Sequence, residues 1–199
     1  MITRKEMTRM LLKEGLLSCL ANNSFESVTV TSLCKTSGIT RATFYLHYSN
    51  IMEIVDDLVD DAIAYSKPGM VDNNNLQIIA KTLSAASNSV SLREAYDSIF
   101  DRLPLCQRII RHKKYLPLFL DEQISEYVLQ RIIQSEKDRQ GLVMAEALGV
   151  SFDVGVSVFV FLVHGLYAIN KEYKWTQSDE WLEAQKVIFE LVYRGLQSK

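Results

Sequence analysis

The feature that most constrains this chain is how little in it interrupts a helix. Its 199 residues hold three prolines (Pro68, Pro104, Pro117) and eight glycines, and no stretch alternates apolar and polar residues between hairpin turns. Apolar residues recur instead at helical spacing: Leu12, Leu16, Cys19 and Leu20 fall at i, i+4, i+7 and i+8. An all-α fold of about nine helices is predicted, with 48% hydrophobic residues to build a substantial core.

The predicted elements separate into a small head and a larger body. The first helix ends near Asn22-Asn23. Thr29 and Thr31 are candidate N-caps for a short helix carrying Val30, Leu33 and Cys34, which stops where Ser37-Gly38 offers a left-handed turn. Ile39 anchors that turn, and Thr40 caps a third helix running from Arg41 through Ala42, Thr43, Phe44, Tyr45 and Leu46 to His47. Asn50 with Glu53 resembles a capping box opening a helix over 51–66, whose apolar stripe is Ile54, Val55, Leu58, Val59 and Ala62. Lys67-Pro68-Gly69 and Asn73-Asn74-Asn75 are turn-rich and mark a boundary. The organisation expected is a small head over 1–50, a connecting helix and linker over 51–75, and a body over 76–199.

In the body a helix is expected over 76–86. Ser91 with Glu94 reads as a second capping box before 95–103, and Pro104 permits a fresh start. Pro117 begins another helix reaching about Gln134. The run 143–170 is long and apolar, and Ser178-Asp179-Glu180 starts a last helix through Leu196.

The formal net charge of −2 hides an asymmetry. Residues 1–50 carry six basic side chains (Arg4, Lys5, Arg9, Lys13, Lys35, Arg41) against three acidic ones (Glu6, Glu14, Glu26), a charge of +3 that leaves −5 for the rest. A basic head on an acidic body presents only the head to a polyanion. Cys19, Cys34 and Cys106 are scattered and form no CxxC pair, so neither a disulfide framework nor a zinc site is suggested and a reducing cytoplasm fits best. The N-terminus lacks the apolar run of a signal peptide. The stretch from Val154 to Ile169 is about 16 residues, short of the roughly 20 that span a bilayer, and reads as a buried helix; no membrane association is expected.

Two short helices joined by a glycine turn and preceded by an amphipathic helix describe a helix-turn-helix, whose second short helix enters the major groove of DNA. Here Leu33, Ile39, Phe44 and Tyr48 are expected to face inward. Thr40, Arg41, Ala42 and Thr43 stand where hydroxyls, a methyl and a guanidinium can reach base edges, Tyr45 and His47 reach the backbone, and Thr29 and Thr31 flank the first short helix. Each has a plainer alternative, as a cap, a solvated charge or a core aromatic.

The run VTVTSLCKTSGITRATFYLHYSN resembles the N-terminal signature of the tetracycline-repressor family. Thr29-Val30, Gly38, Phe44-Tyr45, His47 and Tyr48 carry the resemblance. Two positions depart from it: Ile51 stands where many members have a lysine able to meet a phosphate, and Ser24 where a glycine commonly closes the first helix. The resemblance implies an all-helical homodimer joined through its last two helices, a pocket for a small-molecule effector in the body, and release from an operator when that effector binds. A two-fold dimer with recognition helices about 34 Å apart implies an inverted-repeat operator of double-stranded DNA.

Phe100, Tyr115, Phe119, Phe159 and His164 are the candidate lining of such a pocket, against the alternative that they are ordinary core. The basic cluster Arg108, Arg111, His112, Lys113 and Lys114 reads as a solvated face. The apolar surface of 154–169 with Val187, Ile188, Leu191 and Val192 suits either a dimer interface or internal core. No catalytic constellation, metal site or cofactor motif can be assembled, so an enzyme is not expected. A helical adaptor dimer, or a regulator answering to a protein partner, stays open as an alternative.

Overall fold

A computed structural model describes residues 2–66, 75–103, 107–108 and 113–197. Pro68, Asn73, Asn74, Pro104, Cys106, Arg111 and His112 lie outside the described residues. The fold is all-α, as expected, with ten helices and no strand among the described residues. They are α1 (Arg4–Leu20), α2 (Val30–Ser37), α3 (Arg41–Tyr45), α4 (Ile51–Ser66), α5 (Asn75–Ser84), α6 (Ser89–Ser98), α7 (Leu116–Leu120), α8 (Ser125–Leu148), α9 (Phe152–Glu172) and α10 (Asp179–Gln197). Short 3-10 turns occupy Phe25–Ser27 and Phe100–Arg102.

The chain forms two compact units, and they do not follow the expected division of head and body. The first joins Met1–Tyr65 to His112–Ile132; the second holds Ser66–Arg111 and Ile133–Lys199. Residues 112–132, expected in the body, thus pack with the N-terminal helices, and α8 contributes its first eight residues to one unit and the remainder to the other.

In the first unit α1 opens on a reciprocal box in which Thr3 Oγ1 accepts from the Glu6 amide (3.2 Å) and Glu6 Oε2 accepts from the Thr3 amide (2.7 Å). Leu12 and Leu16 are fully buried, and Gly15 lets α2 come close, since a Cβ there would stand 2.0 Å from Ser37 Oγ and 3.1 Å from Ser37 Cβ. The expected helix from Pro117 to Gln134 is instead two helices. Asp121 ends α7 and turns the chain, its Oδ1 accepting from the amides of Gln123 (3.0 Å) and Ile124 (3.2 Å) and its Oδ2 from the Phe25 amide (2.6 Å). One carboxylate caps α8 and ties the corner to the turn after α1.

In the second unit α6 starts two residues before Ser91. Asn88 is the cap, its Oδ1 accepting from the Ser91 amide, and Ser91 supplies the return bond to the Asn88 amide. The expected continuous run 143–170 breaks at Gly149, in the left-handed region at φ 62, where the Val150 amide closes on the Ala145 carbonyl as a C-cap before α9 begins. α8 and α9 then touch backbone to backbone. A Cβ on Gly155 would lie 2.2 Å from the Gly141 carbonyl oxygen and 2.7 Å from the Ala145 amide nitrogen. The last helix begins as expected, with Ser178 Oγ accepting from the Trp181 amide.

The core of this unit is built on Trp181, fully buried, with Tyr96 edge-on at 5.2 Å. A chain of side-chain hydrogen bonds runs through it. The Trp181 indole donates to Asn170 Oδ1 (3.0 Å), Tyr96 donates to Gln107 Oε1 (3.1 Å), and Gln107 Nε2 donates to Gln185 Oε1 (3.0 Å). Among the described residues, Asn170 Nδ2 and Gln185 Nε2 are buried and meet no acceptor. Between α9 and α10, Lys174 (φ 50) and Trp175 (φ 56) are consecutive non-glycine residues in the left-handed region, with the Trp175 ring buried against Tyr167 at 5.5 Å.

α9 spans 21 residues rather than 16, long and apolar enough by length and composition to cross a membrane. Its Gly155, Phe159, Val163, Leu166, Tyr167 and Asn170 are buried in the unit, while Val154 (47% exposed) and Phe161 (75%) face outward, as do Val187 (52%) and Leu191 (65%) on α10.

Candidate nucleic-acid interface

The head builds its surface from three local devices. Thr29 caps α2 by accepting from the Ser32 amide at 3.1 Å, with Ser32 Oγ returning the bond to the Thr29 amide at 2.9 Å; Thr31, the other candidate cap, lies within the helix and is exposed. Gly38 ends α2 at φ 66, and the Ile39 amide closes on the Cys34 carbonyl at 3.0 Å. Thr40 caps α3, accepting from the Thr43 amide at 3.1 Å while the two threonine hydroxyls share a 2.8 Å bond.

α3 is shorter than expected. It ends at Tyr45, where the Phe44 carbonyl accepts from both the His47 and Tyr48 amides and tightens the last turn. Leu33 and Phe44 are fully buried and Tyr48 is 3% exposed, all facing inward as expected, while Ile39 is only half-buried. The Phe44 ring packs edge-on against Tyr45 at 5.1 Å and tilted against Tyr48 at 6.2 Å. These contacts orient α3 about its own axis.

A polar clamp fixes it from below. The Tyr48 hydroxyl donates to Asp57 Oδ2 on α4 at 2.5 Å, and Arg9 on α1 donates to the same oxygen while lying 5.2 Å from the Tyr48 ring centre. Burial, and then the bond to Asp57, push the Tyr48 hydroxyl far above its ordinary range, so it stays protonated and donating. The bond to Asp57 likewise raises Arg9. Lys13 pairs with Asp61 one turn further on. On the other side of α4, Asp56 accepts from Tyr127 (2.6 Å) and pairs with Arg131 (3.0 Å), which also reaches Asp60 (3.1 Å). Four aspartates of α4 are thus engaged, two with α1 and two with α8.

This pairing changes the electrostatic account. Arg9 and Lys13, counted toward the basic head, are occupied by aspartates. Among the described residues no carboxylate stands within ion-pair distance of Arg4, Lys5, Lys35 or Arg41, and all four are exposed. Thr29, Thr31, Thr40, Arg41, Ala42 and Tyr45 are exposed as well; Thr43 and His47 are half-buried. Among the described residues His47 Nδ1 is buried without a partner. Cys34 is buried behind this surface, and burial pushes its thiol up against the smaller opposing pull of Arg41. Sequence reasoning missed Leu46, 81% exposed at the C-cap of α3.

The expected pocket residues divide between the units. Tyr115 and Phe119 are buried in the first; Phe100, Phe159 and His164 belong to the second. His164 Nδ1 lies 2.9 Å from the Val160 carbonyl, the local bond of a helix-interior histidine. An open cleft of about 510 Å³ in the first unit has Ile2, Met10 and Leu58 on its walls beside the Lys13–Asp61 and Lys114–Glu14 pairs, and includes none of the five. Among the described residues no three His, Cys, Asp or Glu side chains are grouped to hold a metal ion. Compared with known proteins, the chain matches no family model, no curated protein and no solved structure.

Proposed function

We propose that this chain is a sequence-specific regulator of transcription that binds duplex DNA as a homodimer. The observation that carries the reading is the arrangement of α3. Its core side is fixed by Phe44 and by the Tyr48–Asp57–Arg9 clamp, while Thr40, Arg41, Ala42 and Tyr45 stand outward beside cations that no carboxylate neutralises. A helix held rigidly from behind, polar and basic in front, suits insertion into a major groove. The resemblance to tetracycline repressors points the same way and favours repression at an inverted-repeat operator in the cytoplasm.

The outward apolar residues Val154 and Phe161 of α9 and Val187 and Leu191 of α10 support self-association, since exposed large apolar side chains of this kind suit a two-fold helical interface. Insertion of α9 into a bilayer is the competing use of the same face. Sedimentation without detergent separates the two: a discrete dimer supports the first, and a requirement for detergent the second. The same resemblance favours a small-molecule effector that acts through the body.

The decisive experiment is selection from random duplex DNA, followed by titration of the enriched site across salt concentrations with wild type and Arg41→Ala. An inverted repeat bound with a steep salt dependence and weakened in the variant supports the proposal, because phosphate contacts release counterions. Failure to enrich any sequence at low salt refutes it.

A further inference from the structure

Side chains leave an α-helix about 100° apart, so each direction around α3 follows from Phe44, whose complete burial marks the core side. Ala42 and Leu46 lie two residues before and after it, each about 200° away and so within about 20° of pointing straight out. The tightened last turn, with Leu46 at φ −74 and ψ −17, carries Leu46 up to about 40° further round, still on the outer side of the helix. Thr43 and Tyr45, about 100° to either side, flank the line. The outermost edge of the helix is therefore apolar and its flanks are polar. Leu46 is 81% exposed, and Ala42 is exposed as well.

A leucine in that position adds nothing to the core of the head. On the major-groove edges of the four base pairs, hydrogen-bond donors and acceptors are all polar, and the 5-methyl group of thymine is the one apolar feature. We infer that the Ala42–Leu46 edge reads thymine methyl groups, with Leu46 as a specificity-determining residue, and that the operator half-site carries thymine under this edge. The inference rests on the DNA-binding reading above and adds a base to it. Burying one methyl group corresponds to about a fourfold change in affinity.

The test replaces thymines of the selected operator one position at a time, symmetrically in both half-sites, with deoxyuridine, which lacks only the methyl group. Titrations at low salt keep weakened complexes measurable. Because symmetric replacement removes two methyl groups, wild type is expected to lose about fifteenfold at one or two adjacent positions, and Leu46→Ala to lose less than about fourfold at the position Leu46 covers. Putting 5-methylcytosine in place of cytosine at that position should recover affinity for wild type only. Leu46→Ala is expected to keep the wild-type circular dichroism spectrum and melting temperature, because the side chain is exposed. Indifference of wild type to deoxyuridine at every position, or an equal loss in Leu46→Ala, overturns methyl reading while DNA binding stands. Failure to enrich any duplex overturns both.

Discussion

The two units hold their helices by different means. In the first, polar clamps supplement the apolar contacts and position the short recognition segment: Asp57 with Tyr48 and Arg9, Asp56 and Asp60 with Arg131, and Asp121 on three amides. In the second, long helices meet through absent side chains at Gly141 and Gly155 and through a core of Trp181, Tyr96 and buried amides. A unit that must turn one face of a five-residue helix outward has only half of it left to bury, and directional bonds fix what packing alone would leave free to roll. Long helices have surface enough to be fixed by shape.

The contrast can be broken at its strongest point first. Gly155→Ala would gain up to about 1 kcal/mol from helix propensity, but its Cβ meets backbone atoms of α8, so a net loss of roughly 2–3 kcal/mol is expected. Gly165→Ala, with nothing within 4 Å of the added Cβ, is the control and should hold or gain stability. Both tryptophans, Trp175 and Trp181, belong to the second unit, so urea unfolding followed by tryptophan fluorescence measures the difference there. A neutral Gly155→Ala would show that the helices do not need the glycine contact.

Asp121→Ala tests the opposite arm. Removing a carboxylate that accepts from three amides is expected to cost about 2 kcal/mol and to speed hydrogen exchange at Phe25, Gln123 and Ile124. Unchanged exchange at Phe25 would show that this tie contributes nothing.

Alkaline pH should weaken the first unit. Tyr48 and Tyr115, through burial first, and Tyr127, through its bond to Asp56 first, have hydroxyls held above their ordinary value near 10, and all three belong to the first unit. A raised value means the folded state favours the protonated phenol. That stabilisation is complete below pH 10 and is lost as pH rises through the folded values. Hydrogen exchange should therefore show the first unit loosening above pH 10. Tyr48→Phe is expected to cost about 1 kcal/mol at neutral pH and to flatten the alkaline decline. An equally steep decline in the variant would rule Tyr48 out as its cause.

The smallest effect belongs to a cap. Thr29→Ala is expected to cost about 1 kcal/mol and to fray α2, while Thr29→Ser, which keeps the hydroxyl, should cost less.

What the sequence made legible was local. The Thr29 and Thr40 caps, the Gly38 turn, the stripe of α4 and the start of α10 each depend on residues within one turn of each other. Where several local choices compete, the reading slipped: Asn88 and Ser91 are both good caps, and only the chain's approach selects Asn88. The break at Gly149 was hidden inside an apolar run that continues on both sides. Contacts between distant residues were not legible at all. Arg9 meets Asp57, and Lys13 meets Asp61, across 48 positions, which is why the basic count overstated the charge available to a polyanion. Leu46 escaped because a leucine at a helix end is ordinary in a sequence, and only its direction relative to Phe44 makes it unusual.

The turn after α9 has a consequence for how this sequence can drift. Position 174 needs a left-handed backbone and asks nothing more that its neighbours supply, so glycine or asparagine would serve it and the lysine there is free to be lost. Position 175 needs the same backbone and also a large ring to plug the space beside Tyr167. Glycine meets the first demand and fails the second; phenylalanine bears the same backbone cost as tryptophan with a smaller ring to fill the space. Neighbouring codons thus face opposite selection, one wide open and one confined, although their backbones are almost the same.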